Sequence, residues 1–529
     1  MLMKLFDIIR RGAFVAPDNI AVTHRDKNIT YKELLLAVNN TANKISEMNL
    51  PQGTKVAIYY ENSIEYVILF FAIQKANLIT VPLDTSLKSD KINFILNDCD
   101  AKLFFVQNKF LRFINEIFAQ STKISTIFIE KDIKLEIKNV KIKILHNICD
   151  IEKNDVIFES LISDIDNLMP LTEVNYELIP KCSKELAAIF YTSGSTGKPK
   201  GVMLSHLNLI ANTAGTIEYL KLNSDDSVIV ILPFYYIYGN SLLLTHFMTG
   251  GRLVIDNRFA FPQTVLETMI KEKVTGFSGV PSNFMILLTN HSFTSEHLPS
   301  LRYVTQAGGA MAPEIIKKVI TAFPEKEIFI MYGQTEASPR VTYLPHEKLT
   351  DKIGSIGIPV PGVYVKLIND DGQEVEIGEV GEIVVSGDSV MLGYCNQPDE
   401  EKQVLQNGNL YTGDLAHKDK DGYFFIVSRK KEIIKVGGNR VGAKEIEERI
   451  LEHEAVHEVA IISVKDEILG EAIKAYIVTH NGQNLSEKEI QDFVMIKLAR
   501  HKAPKFVELI DELPKYQSGK VNKSALSEL

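Results

Sequence analysis

The sequence predicts the α/β class: a large N-terminal region of stacked mixed sheets flanked by helices, a small β-barrel-like unit, and a small α+β domain at the C-terminus. Three observations carry this. Strand-like and helix-like segments alternate through the first hundred or so residues and again from about residue 225 to 306. After about residue 350 the texture turns to short β-rich segments with closely spaced turns such as "NDDGQ". A last change near residues 429–431 opens a tail of strand, helix, strand and strand. The expected units are 1–428, with 350–428 mainly β, and 429–529.

Taken in order, "LFDIIRRGAFV" reads as an amphipathic helix ending before Pro17, not a signal peptide, because its arginines follow the apolar stretch. "NIAVTH" and "KNITY" read as a hairpin around the polar "RDK". "YKELLLAVNNTANKISEM" is a helix, "TKVAIYY" a strand, "SIEYVILFFAIQKA" a helix and "LITVPL" a strand. "SDKINFILNDCD" and "AKLFFVQ" repeat the cycle. Residues 110–180 have weak periodicity and receive no assignment. "DDSVIVIL", "RLVID", "VTGFSGV" and "LRYVTQ" are further strands. "GNLYTGDLAHKDKDGYFFIVSR" is two strands around the turn "DKDG". "SEKEIQDFVMIKLA" is a helix opened by a capping box at Ser486 and Glu489.

Composition bounds the function. The net charge of −9 is spread over residues of both signs, and no basic block offers a nucleic-acid groove. Cys99, Cys149, Cys182 and Cys395 are far apart and match no metal-ligand spacing. So few cysteines point to a reducing, cytoplasmic setting. The apolar run "YVILFFAI" is too short to span a bilayer, which leaves at most peripheral membrane contact through an apolar face.

The densest chemistry lies at residues 191–201, "YTSGSTGKPKG". Gly194 and Gly197 let backbone approach a ligand. Thr192, Ser193, Ser195 and Thr196 add hydroxyls, and successive N–H groups suit an anion nest. Lys198 and Lys200 add mobile positive charge. "ELAAIFYT" before it reads as a buried strand and "VMLSHLNLIANTAGTIEYL" after it as a helix. Strand, glycine-rich loop and helix together form a phosphate cradle. The spacing is not that of the ordinary P-loop, since Pro199 follows Lys198.

Four further segments concentrate polar groups. "YGQTEASP" offers the ring of Tyr332, the hydroxyl of Thr335 and the carboxylate of Glu336, which suits a hard cation such as Mg²⁺. In "YTGDLA", Asp414 can accept both hydroxyls of a ribose. "SRKKEIIKVGGNR" sets Arg429, Lys431, Lys435 and Arg440 around a Gly437 and Gly438 pair, either for phosphate or as a solvated hinge. "KYQSGKVNK" places Lys520 near the C-terminus, where a lone lysine is ordinarily solvated.

In register, these segments resemble the adenylate-forming (AMP-binding) superfamily of acyl-CoA synthetases, luciferases and peptide-synthetase adenylation domains, over nearly the whole chain. The resemblance implies a large N-terminal part, a small rotating C-terminal domain and two steps. A carboxylate attacks the α-phosphorus of Mg–ATP, giving acyl-AMP and pyrophosphate; a thiol then displaces AMP. It implies that residues 192–200 hold the departing phosphates, that Thr335 meets the α-phosphate and that Glu336 serves Mg²⁺. It implies that Tyr332 packs on adenine and that Asp414, assisted by Arg429, holds the ribose. Lys520 is implied as the catalytic lysine of the first step. Lys431 takes the hinge position. Lys435, Gly438 and Arg440 belong to the face presented in the second step, with Gly438 letting a pantetheine arm pass.

The same resemblance frames the acid. Tyr236 stands where many acyl-CoA synthetases carry histidine, with Tyr235 beside it. No acidic residue occurs between residues 230 and 249, which argues against an amino-acid-activating enzyme because a buried ammonium would lack a partner there. Gly308 and Gly309 are expected at the carboxylate end. Gly333, where acetate-specific relatives carry tryptophan, is expected to leave a path for a medium or longer fatty acid or an aryl acid. Coenzyme A is the expected thiol; the phosphopantetheine of a carrier protein is the alternative. A noncatalytic nucleotide-binding scaffold is the remaining class.

Overall fold

The alternation seen in the sequence becomes two large sheets with a helix layer between them. The computed structural model describes residues 2–120, 122–130, 137, 140–144, 158–163, 165, 174–193, 198–289, 293–436, 439–466, 469–480, 483, 485–515 and 521–527. Among these residues, one sheet runs in the order Gly393–Tyr394, Pro199–Ser205, Leu186–Ser193, Ile79–Pro82, Lys55–Tyr59, Leu103–Val106, Thr126–Ile129 and Lys141–Ile144. The other runs Ile358–Pro359, Arg340–Leu344, Glu327–Gly333, Tyr303–Gln306, Gly276–Gly279, Ser227–Val230, Arg252–Ile255, Ile20–His24 and Lys27–Thr30. Both have parallel centres; the second is antiparallel at both margins, the first only at the Gly393–Tyr394 side, since Lys141–Ile144 pairs parallel.

Helix chemistry follows position. Tyr31–Ser46 opens on a Thr30–Glu33 capping box and buries Leu34, Leu35, Val38, Ala42 and Ile45. Ile64–Lys75, N-capped by Ser63, is buried along nearly its whole length, from Ile64 to Gln74 apart from Glu65. It touches strands of both sheets, the place for a helix that is apolar all round. The N-terminal helix Phe6–Val15 turns Ile8, Ile9 and Ala13 into the main core. It also buries Arg10 against Asp7 at 2.7 Å. That apolar face is therefore internal and not available to a membrane. Among the described residues, no helix is long and apolar enough to cross one.

The mainly β region forms a third sheet from Val363–Ile368, Val380–Gly387, Asn409–Lys418 and Leu405–Gln406, with Phe424–Arg429 paired on Asn409–Lys418. Phe424–Arg429 passes through the 3-10 turn Lys430–Glu432 into Ile433–Val436, a strand of the fourth sheet. That sheet packs its own core against the helices Ala443–Leu451 and Glu487–Met495, the latter with the expected Ser486–Glu489 box. Lys430 reaches back to Asp370 and Glu382 at 3.2 Å, and the Lys444 ammonium donates to the Ile426 carbonyl at 2.9 Å.

The segment after the glycine-rich loop corrects the sequence reading. It begins as a strand, Pro199–Ser205, pairing antiparallel with Leu186–Ser193; the helix starts only at His206. The loop thus joins two antiparallel strands, not a strand and a helix. The helix N-terminus, closed by a Ser205–Asn208 capping box, lies at the far end of the return strand, roughly 20 Å along the chain. Its dipole does not serve the loop.

Candidate active site

The hairpin carries its lysines unequally. Thr192 pairs opposite Lys200 and Ser193 opposite Pro199; Gly194, Ser195, Thr196 and Gly197 lie outside the described residues. Lys198 is exposed. Lys200 is not the mobile charge expected from the sequence. It is buried, ion-paired with Glu400 from the helix Pro398–Val404, and lies 5.3 Å from the centre of the Tyr394 ring. The Lys200 ammonium holds the Glu400 carboxyl below its usual range.

Tyr394 is the contact that sequence reading missed. Its hydroxyl donates to Glu336 Oε1 at 2.7 Å, and its backbone N–H donates to Glu401 Oε2 at 3.0 Å. Burial, then the charge of Glu336, keeps its hydroxyl protonated far above the ordinary tyrosine range. Gly393 beside it has φ +143°, and a Cβ there would meet Glu401 Oε2 at 2.1 Å. The run "GYCNQPDEE" at residues 393–401 was the available signal.

Strand Glu327–Gly333 delivers the "YGQTEASP" residues, ending in the 3-10 turn Thr335–Ala337. Thr335 is buried and Glu336 half-buried. Tyr332 turns its hydroxyl to Asp414 Oδ2 at 2.6 Å, while Arg429 Nε meets Asp414 Oδ1 at 3.1 Å. Asp414 and Arg429 face each other across paired strands, so the ion pair follows from register. Arg429 is held in its charged form despite burial, by Asp414 first and with Glu336 contributing. Tyr332, Asp414, Arg429 and Glu336 are therefore neighbours, brought together from segments nearly a hundred residues apart.

The expected substrate wall divides. Tyr236 stands over Gly308: a Cβ at Gly308, whose φ is +84°, would lie 2.9 Å from the Tyr236 hydroxyl. The Gln306 amide donates to the Gly309 carbonyl at 2.8 Å. Tyr235 is turned elsewhere, hydrogen-bonded to Asp84 and Thr85. Gly333 requires a correction. A Cβ there would lie 1.9 Å from the Pro339 carbonyl oxygen and 3.0 Å from Arg340 Cα. Glycine is demanded by close strand pairing, and an open path for the acid cannot be inferred from it.

Lys431 is exposed on its 3-10 turn. Lys435 is exposed and pairs by backbone with Arg440, whose side chain lies outside the described residues, as do Gly438 and Lys520. Among the described residues no cluster of His, Cys, Asp and Glu could by itself cage a metal. Cys99, Cys182 and Cys395 are buried, and burial pushes all three thiols up, the first two to about 12, which disfavours the reactive thiolate. Cys149 lies outside the described residues.

Comparison with known proteins supplies the frame for this arrangement. The family model for AMP-binding enzyme matches residues 9–395, and that for AMP-binding enzyme C-terminal domain matches residues 445–520. A long-chain-fatty-acid–CoA ligase of Bacillus subtilis (strain 168) is 30% identical over 538 residues, covering 99% of this chain and 94% of that protein. The crystal structure of an anthranilate–CoA ligase in complex with anthranoyl-AMP superposes with a TM-score of 0.83 at 26% identity, covering 100% of this chain and 97% of the other. An o-succinylbenzoate–CoA synthetase from Bacillus subtilis in complex with ATP and magnesium gives a TM-score of 0.80 at 25% identity, covering 98% and 99%. With both family models matched in order and the tyrosine–aspartate–arginine cluster at the join of its sheets, the chain belongs to the AMP-binding enzyme family, as an AMP-forming acid–thiol ligase.

Proposed function

We propose that the cluster of Tyr332, Asp414 and Arg429 receives the nucleoside of ATP, and that a carboxylic acid is activated beside it and passed to coenzyme A. The carrying observation is Asp414. Its two oxygens are fixed by Tyr332 at 2.6 Å and Arg429 at 3.1 Å, so the carboxylate is oriented before a ribose arrives. Thr335 and Glu336, one turn beyond Tyr332, would face the phosphates, with residues 192–200 cradling the pair that departs.

The chemistry balances simply. A carboxylate oxygen forms a bond to the α-phosphorus and the bond to pyrophosphate breaks. A thiolate then attacks the acyl carbonyl and AMP leaves with its electron pair. Lys520 would offset the charge that accumulates as two anions meet. Glu336 fits Mg²⁺ as one protein oxygen ligand, because Tyr394 uses only one of its carboxylate oxygens and this ion is commonly held by few carboxylates plus phosphates and water. When bound, Mg²⁺ neutralises phosphate charge.

For the second step, Gly438 would let the pantetheine arm pass, with Lys435 and Arg440 near its phosphates and Lys431 as the pivot. A carrier protein presents the same arm on a larger body. Acid-dependent ATP–pyrophosphate exchange tests the first step; thioester formation with coenzyme A and with carrier proteins, run in parallel, tests the second. Acid-independent ATP hydrolysis to ADP would reject the reading.

A further inference from the structure

Arg340 is an arginine that the described residues leave without a counter-charge. It opens the strand Arg340–Leu344 opposite Gly333, at the end of the sheet where the parallel strands finish and Gln306, Gly308 and Tyr332 lie. Ligands of open α/β sheets bind at such ends. The residue is 3% exposed. Asn212 pins its backbone from both sides, accepting from its N–H at 3.2 Å and donating to its carbonyl at 2.7 Å.

Among the described residues its guanidinium meets only neutral groups. Nη1 donates to Ser241 Oγ at 2.7 Å, Nε approaches Met331 Sδ at 3.3 Å, and the Tyr238 ring lies 5.2 Å away. Nη2 has no partner. Behind Tyr238 runs a chain of hydroxyls, Tyr238 to Thr305 Oγ1 at 2.9 Å and Thr305 to Ser278 at 2.7 Å. The titratable neighbours supply no anion. Burial pushes His246 down to about 4 and holds the phenols of Tyr219, Tyr238 and Tyr303 protonated. Asp226, which His246 and Tyr303 also feel, is held by Arg302 Nε and Nη2 at 2.9 and 2.8 Å.

An arginine cannot shed its proton to escape this environment. A buried charge without an anion is costly. Two more groups share the deficit. Among the described residues, Asn240, adjacent to Ser241 and fully buried, has neither amide atom satisfied, and Gln306 Oε1 is unsatisfied while its amide meets Gly309. An unsubstituted alkyl tail against the Arg340 guanidinium would leave its charge unmet.

We propose that Arg340 recognises a second carboxylate on the substrate, so that the acid activated is a dicarboxylic acid: one carboxylate reacts beside Gly308 and the other docks on the guanidinium, with Asn240 and the hydroxyl chain as its polar surround. This rests on the acid-activating reading above and names its substrate class. Arg340 is then a specificity residue, remote from the reacting atoms.

The test is ATP–pyrophosphate exchange over matched acids, aliphatic and aryl. Each dicarboxylate is paired with the monocarboxylate that has methyl in place of the remote carboxyl, such as suberate with octanoate. The best dicarboxylate should exceed its partner in kcat/KM by about 10- to 100-fold, the cost of leaving a buried polar group unsatisfied. Arg340→Leu should reverse the preference, and Arg340→Lys should keep part of it. Wild-type preference for the monocarboxylates, or an unchanged ratio in Arg340→Leu, overturns the proposal. If Arg340→Leu does not fold, the wild-type ratio and Arg340→Lys decide. If neither series supports exchange, the acid-activating reading itself fails and this proposal falls with it.

Discussion

The Tyr394 hydroxyl donates to Glu336 at 2.7 Å while the Lys200 ammonium sits 5.3 Å from the centre of the same ring. One side chain thus ties the glycine-rich hairpin to the turn that carries the proposed metal carboxylate. Lys200 is in turn anchored by Glu400. The hairpin base and the Glu336 turn form one connected polar unit, held from a short edge strand of the same sheet as the hairpin.

Tyr394→Phe keeps the ring over Lys200 and removes only the donor. Glu336 should lose orientation and little else. The Mg²⁺ concentration giving half-maximal pyrophosphate exchange should rise by about 3- to 10-fold, the worth of one hydrogen bond. Metal titration at fixed ATP, with a melting curve as control, checks it.

Asp414→Asn removes the charge that Arg429 neutralises and places an amide donor near the Tyr332 hydroxyl. AMP affinity, measured by calorimetry without acid or metal, should fall by about 10-fold or more, since hydrogen bonds to a charged group are worth roughly 1.5–3 kcal/mol. Unchanged affinity would remove Asp414 from the nucleoside site.

His206 makes acid stability testable. Its Nδ1 accepts from the Leu5 N–H at 3.1 Å, so it must be neutral on that nitrogen. Burial, then the charge of Lys4, lowers it from 6.5 to about 4, against a small opposing pull from Glu185. A depressed folded value means that the unfolded chain binds more protons between these limits. The contribution is complete above pH 6.5 and is lost as pH falls toward 4, amounting to about 3 kcal/mol. His206→Gln, which can still accept from Leu5, should flatten the melting temperature across that window. An equally steep profile would reject the assignment.

Lys520→Ala should damage adenylation by about 100-fold, near 3 kcal/mol for a lost transition-state donor. Chemically supplied acyl-AMP should still pass to the thiol at a substantial rate. Rapid-quench measurement of each half-reaction separates the two; equal losses would contradict a role confined to the first step.

Local pattern made much of the fold legible. Capped helices such as Tyr31–Ser46 and Glu487–Met495 announce their start and face, while their C-terminal ends fall two and four residues short of the sequence reading because no glycine or proline marks them. The hairpin Ile20–His24 with Lys27–Thr30 is set by its polar turn. The return strand Pro199–Ser205 was hidden because a short apolar run leading into a helix has no periodicity of its own. Each member of the Tyr332, Asp414 and Arg429 cluster stands out in the sequence because each sits in a distinctive motif; that they meet is a finding of the structure. Tyr394 and Arg340 do not stand out, because their partners come from other elements. Gly333 was misread for the same reason: what fills the space of a missing side chain is a tertiary fact, here the Pro339 carbonyl.

The central claim is activation through an acyl-adenylate, and oxygen labelling tests it most directly. With the carboxylate of a competent acid labelled with ¹⁸O, one labelled oxygen should appear in the phosphate of AMP for each thioester formed, because the oxygen that attacks the α-phosphorus leaves with it. Label found in orthophosphate with ADP, or AMP formed without label, would contradict the account.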